Sequence, residues 1–354
     1  MAAPLRPALA GLSAYQPEPL LGDAALDANE NPFAPPEAWS LRAQGLLAGA
    51  QVQRYPDPAA SGLRERLARL HGLPQDALLF GNGSDELIAL LLAAFGGGEA
   101  LCLVPRPTFS MYRLCALGQG WNVREQDLDA DWGLTPAFVE DARRLKPRLI
   151  VLASPNNPTG NAFDPALVDA LRGLDGTTLV LDEAYVEFGG RSLLKAAPSE
   201  PGLVVLRTFS KAWGLAGLRL GWMAAEPALV RELEKLRLPY NVNALTQALA
   251  EAALDLAPEF LGRVPRLLAL RTRLEAALDA VPGLRRWPSD ANFTLVRHPQ
   301  AAGLHAHLLN RGLRVRRFGP GRLDQHLRIN AGDEAQTLRL ESALAEFAQG
   351  APRP

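Results

Sequence analysis

Leu203-Val204-Val205-Leu206-Arg207-Thr208-Phe209-Ser210-Lys211 is the stretch from which the fold follows. Its apolar start reads as a buried strand, and a lysine just past the end of a strand projects into the crevice where α/β sheets hold ligands. Downstream, Gly214-Leu215-Ala216-Gly217-Leu218-Arg219-Leu220-Gly221 sets a second cation, Arg219, among glycines. The hydroxyls of Thr208 and Ser210 with the Arg219 guanidinium suit a phosphate. A desolvated lysine beside cations loses its proton readily enough to form a Schiff base. A lysine by itself is most often a solvated charge, so the chemical reading depends on these neighbours.

Working outward, short apolar runs at 77–80, 101–104, 121–126, 149–153, 178–181, 203–206 and 218–223 alternate with helical patterns at 87–95, 136–145 and 165–171. That alternation predicts an α/β sheet. Leu238-Pro239-Tyr240-Asn241-Val242-Asn243 interrupts it. Long Leu/Ala/Arg helices over about 244–281 follow, then a strand at 293–296, a helix at 301–311 and strands at 313–317 and 326–330. This change predicts a smaller α+β domain. The expected division is an N-terminal arm over 1–40 that joins the small domain, a large domain over 41–240 and a small domain over 241–354.

Composition bounds the partners. A formal net charge of -1 gives no electrostatic case for nucleic acid or an anionic membrane. The longest apolar stretch, 87–95, falls far short of the ~20 residues that span a bilayer. The first fourteen residues lack the continuous apolar segment of a secretory signal, and Cys102 and Cys115 make no disulfide framework or metal-like spacing. The expectation is a cytoplasmic, metal-free protein.

Further strand ends carry other groups. Gly81-Asn82-Gly83-Ser84-Asp85-Glu86 joins a strand to a helix, an arrangement that binds anions on helix N-terminal amides; the same order also suits a cap by Ser84 or Asp85. It lacks the third glycine of a dinucleotide fingerprint, and the chain has no Gly-Lys-Ser/Thr P-loop. Pro107-Thr108-Phe109-Ser110-Met111-Tyr112 offers the Phe109 ring as a stacking face. Ser154-Pro155-Asn156-Asn157-Pro158-Thr159-Gly160 sets a fixed turn that presents the Asn157 amide. Asp182-Glu183-Ala184-Tyr185 places a carboxylate to pair with a protonated ring nitrogen and a phenol to reach a ring oxygen. Each group has an ordinary structural use. Taken together, five strand ends supply the parts that hold pyridoxal 5'-phosphate.

These strings, with Arg54-Tyr55-Pro56 and Leu327-Arg328-Ile329-Asn330, resemble the fold-type I pyridoxal-phosphate aminotransferases, and among them the histidinol-phosphate aminotransferases, over residues 15–332. The resemblance implies a large domain with a mixed seven-stranded sheet flanked by helices, plus a smaller α+β domain. It implies that Lys211 carries the cofactor covalently, Asp182 pairs with its ring nitrogen, Tyr185 and Asn157 contact its ring oxygen, and Phe109 stacks on its face. Gly83, Ser84, Asp85, Thr208, Ser210 and Arg219 would take its phosphate. Tyr55 would reach that phosphate from a second subunit, which implies a homodimer with shared sites. On the substrate side, Arg328 would bind the glutamate α-carboxylate, with Tyr15, Asn29, Tyr240 and Arg316 lining the remainder; Arg314 and Arg317 crowd the same segment as Arg316. The implied reaction passes the amino group of glutamate to 3-(imidazol-4-yl)-2-oxopropyl phosphate (imidazole-acetol phosphate). An aromatic amino acid aminotransferase, a threonine-phosphate decarboxylase and a non-catalytic cofactor-sensing regulator are the competing readings. The last is disfavoured by an N-terminal region too short and too weakly basic for a DNA-binding domain.

Overall fold

Among the described residues twelve strands are distributed between two sheets. The computed structural model describes residues 22–97 and 99–350, with residues 3, 9, 11 and 12. The strands are β1 (Ala24–Leu26), β2 (Leu78–Asn82), β3 (Leu101–Arg106), β4 (Asn122–Asp127), β5 (Leu149–Ala153), β6 (Thr178–Asp182), β7 (Leu203–Thr208), β8 (Leu220–Ala224), β9 (Arg285–Arg286), β10 (Phe293–Arg297), β11 (Leu313–Arg317) and β12 (His326–Asn330).

The larger sheet is seven-stranded in the order β2-β8-β7-β6-β5-β3-β4. It is mixed, because β8 runs antiparallel to β2 and β7 while the other neighbours are parallel. Every residue of β5, β6 and β7 is buried, as central strands covered on both faces must be. Alternate side chains serve opposite clusters. Ile150, Leu152, Leu179, Leu181 and Val205 enter one, whereas Leu149, Val151, Val180, Val204 and Leu206 enter the other.

The smaller sheet has the order β1-β11-β12-β10-β9. Strand β1, from the arm, adds itself parallel to β11. Leu313 and Val315 of β11 point into a cluster with Leu274, Leu278, Leu304 and Leu340, so the intervening Arg314 and Arg316 share the other face of the strand.

The helices expected over 244–281 number three, Ala244–Asp255, Ala257–Leu261 and Val264–Asp279. Pro258 and Pro265 lie in the first turns of the latter two, where a missing N–H breaks no hydrogen bond. Helix Ala244–Asp255 packs on helices Glu37–Ala48 and Ser61–His71, and its Ala250, Ala253 and Leu254 belong to the large-sheet core. No helix among the described residues is long and apolar enough to cross a membrane. Both cysteines are free thiols, and burial alone pushes Cys102 up to about 12.

Candidate active site

A cavity of about 800 Å³ opens at the carboxyl ends of β3, β5, β6 and β7, with the small sheet on its other side. Every expected cofactor contact except Tyr55 lines it. The parallel strands explain the convergence, since side chains just past their ends share one crevice.

Lys211 follows β7. Its Nζ donates to the Ala28 carbonyl at 2.9 Å and lies 5.7 Å from the centre of the Tyr185 ring. Protein surrounds the stem while the residue keeps an opening to the cavity. Desolvation is the main cause that pushes its pKa down to about 8; Arg328 lowers it further, Glu30 opposes, Arg219 lowers and Asp85 opposes. At pH 7 about a tenth of the amine is thus neutral, far more than an exposed lysine offers.

Asp182 ends β6, with 5 % of its surface exposed. Its Oδ2 accepts from the Tyr112 hydroxyl at 2.7 Å and its Oδ1 from the Ala184 amide at 3.0 Å. Neither partner is a cation. Burial accordingly pushes Asp182 up to about 6, against the two hydrogen bonds, while Asp85 and Glu183 add repulsion. A carboxylate placed this way at a cavity wall suits a cationic ring nitrogen. Tyr185, also buried, accepts at its hydroxyl from Asn29 Nδ2 at 2.9 Å. Arg328 Nη1 donates to Asn157 Oδ1 at 2.6 Å, and its Nη2 donates to the Asp27 carbonyl.

The anion end is built around Gly83. This residue has φ +72, and a Cβ on it would sit 2.6 Å from Arg219 Nη2, so a side chain would fill the cradle. A Cβ on Gly221 would lie 2.3 Å from the Ser84 amide nitrogen. Helix Gly83–Phe95 has no side-chain cap; Ser84 and Asp85 do not serve as one, and the backbone N–H of Asn82 donates to the Glu86 carboxylate. Arg219 Nη2 meets Asp85 Oδ2 at 3.3 Å, and the Thr208 and Ser210 hydroxyls are 2.9 Å apart. Hydroxyls, helix N-terminal amides and a guanidinium around one concavity fit a phosphate.

A family model for class I and II aminotransferases matches residues 24–344. The chain belongs to that family. It is 40% identical over 355 residues to histidinol-phosphate aminotransferase 2 of Nitrosococcus oceani, covering 96% of each chain. Among solved structures it superposes on histidinol-phosphate aminotransferase from Sinorhizobium meliloti in complex with pyridoxal-5'-phosphate, with a TM-score of 0.88, 25% identity and coverage of 99% and 98%. L-threonine-O-3-phosphate decarboxylase from Porphyromonas gingivalis shares the fold at a TM-score of 0.81, 24% identity and coverage of 92% and 100%.

The three arginines of β11 are placed differently in this aminotransferase. Arg314 is engaged by Asp27 at 2.9 Å, Arg316 lines the cavity and Arg317 is exposed. Asn29 and Arg328 line the cavity as well. Tyr240 does not line it. It stacks on Tyr55 with ring centres 4.5 Å apart, and Tyr55 is 81% exposed; both lie outside the cavity of the single chain. Tyr15 lies outside the described residues. Sequence reasoning passed over Tyr112, whose one signal was its place a helical turn after Phe109. It also gave no hint of Phe318 and Leu323, which wall the cavity beside Arg316. Among the described residues no group of three His, Cys, Asp or Glu side chains is placed to hold a metal.

Proposed function

We propose that this chain is a cytoplasmic, homodimeric, pyridoxal-phosphate-dependent enzyme that transfers the amino group of L-glutamate to 3-(imidazol-4-yl)-2-oxopropyl phosphate, giving L-histidinol phosphate and 2-oxoglutarate in histidine biosynthesis. The observation that carries the reading is the single cavity in which Lys211, Asp182, the Gly83–Arg219 cradle, Arg316 and Arg328 meet. The names of its relatives support the same reaction. The division proposed is a cofactor domain over 41–240 and a substrate-side domain over 241–354 joined by the arm's β1, with helix Ala244–Asp255 packed against the first.

Gly83, Ser84 and Asp85, with Thr208, Ser210 and Arg219, would hold the cofactor phosphate, and Phe109 would cover one ring face. Because Arg328 occupies Asn157 Oδ1, the Asn157 amide nitrogen is the end left for the ring oxygen, beside the Tyr185 hydroxyl. When bound, the cofactor supplies a protonated ring that delocalises the electron pair left at the substrate Cα. Asp182 keeps that ring protonated by charge. Lys211 Nζ, whose lowered pKa leaves a fraction of it neutral near neutral pH, would take the Cα proton and deliver it to the cofactor carbon C4'. Arg328 orients the α-carboxylate, and Arg316 the substrate phosphate. Tyr55 would complete the neighbouring subunit's phosphate site, in keeping with its exposure.

A half-reaction screen tests this. The cofactor-loaded protein is mixed with histidinol phosphate, phenylalanine, tyrosine and threonine phosphate while the cofactor absorbance is followed. Histidinol phosphate is expected to react fastest. Faster loss with phenylalanine or tyrosine would favour an aromatic aminotransferase, and carbon dioxide from threonine phosphate a decarboxylase.

A further inference from the structure

Tyr112 is almost fully buried, with 1% of its surface exposed, in the first turn of helix Ser110–Gly118. It makes two contacts that concern the site. Its hydroxyl donates to Asp182 Oδ2 at 2.7 Å, and the edge of its ring meets the Phe109 ring with centres 5.5 Å apart and planes at 85°. Phe109 and Tyr112 are three residues apart, close to one helical turn. One side chain therefore touches both the acid and the stacking face.

We infer that Tyr112 is a positioning residue that fixes the Asp182 carboxylate and braces Phe109, so that the acid and the ring face meet a bound heteroaromatic ring together. The inference rests on the cofactor reading proposed above. Asp182 has few ways to remain in place as an anion, since its other hydrogen bond comes from the Ala184 amide alone. The titratable groups around it are Asp85 from helix Gly83–Phe95, Glu183 beside it in the chain, Tyr112 and Tyr185. Glu183 is committed elsewhere, to Arg207 at 2.9 Å and to Ser192. Asp85 and Glu183 both disfavour the charged carboxylate, whereas Tyr112 favours it. Loss of the phenol therefore leaves a buried carboxylate that takes up a proton more readily, and a neutral acid does not hold a proton on the ring nitrogen.

The test uses holoenzyme loaded with pyridoxal 5'-phosphate labelled with nitrogen-15 at the ring nitrogen. Its magnetic resonance signal reports protonation of that atom, and cofactor affinity is measured alongside. In the wild type the nitrogen is expected to be protonated at neutral pH. In Tyr112→Phe, which keeps the ring edge on Phe109, the signal should move toward the unprotonated form, with affinity changed only a few-fold. The proton-transfer half-reaction should fall by roughly 10- to 100-fold, the loss of one charge-assisted hydrogen bond. Phe109→Leu keeps the phenol, so it should weaken cofactor binding and leave the nitrogen signal in place. An unchanged nitrogen signal in Tyr112→Phe, in a wild type that does bind the cofactor, overturns the role of Tyr112. Failure of the wild type to bind the cofactor overturns the proposed function, and this role with it.

Discussion

Arg316 and Arg328 are direct partners across the antiparallel strands β11 and β12, and both open onto the cavity that contains Lys211. Register partners lie on one face of the sheet, so both cations serve the same cavity wall. The pairing therefore suits a substrate with two anionic ends, a carboxylate and a phosphate.

Arg316→Ala is expected to depress the half-reaction with histidinol phosphate strongly while sparing much of the glutamate half-reaction, which leans on Arg328. Loss of one charge-assisted contact to a buried dianion costs roughly 2–5 kcal/mol. Single-turnover rates with the two donors check this. Equal losses in both would give Arg316 a structural role.

Asp182→Asn is expected to separate stability from chemistry. Burial raises the Asp182 pKa from 3.8 to about 6. Between those values the folded protein binds more protons than the unfolded chain, so this group's contribution to stability falls as pH rises through the window. The cofactor-free Asn variant should melt higher than the cofactor-free wild type above about pH 6 and lose that advantage near pH 4. Its holoenzyme should nonetheless transfer protons far more slowly, because an amide carries no charge for the ring nitrogen. Melting curves at both pH values decide the first part and stopped-flow rates the second.

Gly83→Ala is expected to weaken cofactor binding with little change to either core. A side chain at φ +72 is strained, and its Cβ would crowd Arg219 Nη2. A strained left-handed position alone costs about 1 kcal/mol. Cofactor titration of a folded variant that binds as tightly as the wild type would remove the cradle from the account.

Tyr55→Phe is expected to loosen the cofactor by about 1.5–3 kcal/mol, the worth of a hydrogen bond to a charged group. Tyr55 is outside the cavity of its own chain, so the effect should appear in the neighbouring site. Mixed dimers of Tyr55→Phe with Lys211→Ala subunits should place the one working lysine beside a wild-type Tyr55 and retain a site of near-normal affinity. A fully active monomer would contradict the shared site.

Much of the scaffold was legible in the sequence because burial leaves a plain pattern. The unbroken apolar run of β5 marks a strand covered on both faces, and the alternation of Leu313, Arg314, Val315 and Arg316 marks one covered on a single face. β1 was harder to see. It has three residues and takes its order from pairing with β11, far along the chain. Helices over 244–281 are legible because Leu and Ala persist through the stretch, and Pro258 and Pro265 mark where the second and third begin. At the site, residues at strand ends could be found one motif at a time. The contact of Tyr112 with Asp182 spans 70 positions and has no local signature. Nor could spacing distinguish Arg314 from Arg316, since both lie on one face of β11; Asp27, brought in from the arm, separates them.

The central claim is that Lys211 carries pyridoxal 5'-phosphate. Borohydride reduction of the cofactor-loaded protein, followed by peptide mapping, tests it most directly. The other lysines of the chain are Lys146, Lys195 and Lys235, and none lines the cavity. The account predicts a reduced pyridoxyl group on the Lys211 peptide alone, absent from Lys211→Ala. Labelling of Lys146, Lys195 or Lys235 in place of Lys211 would contradict it.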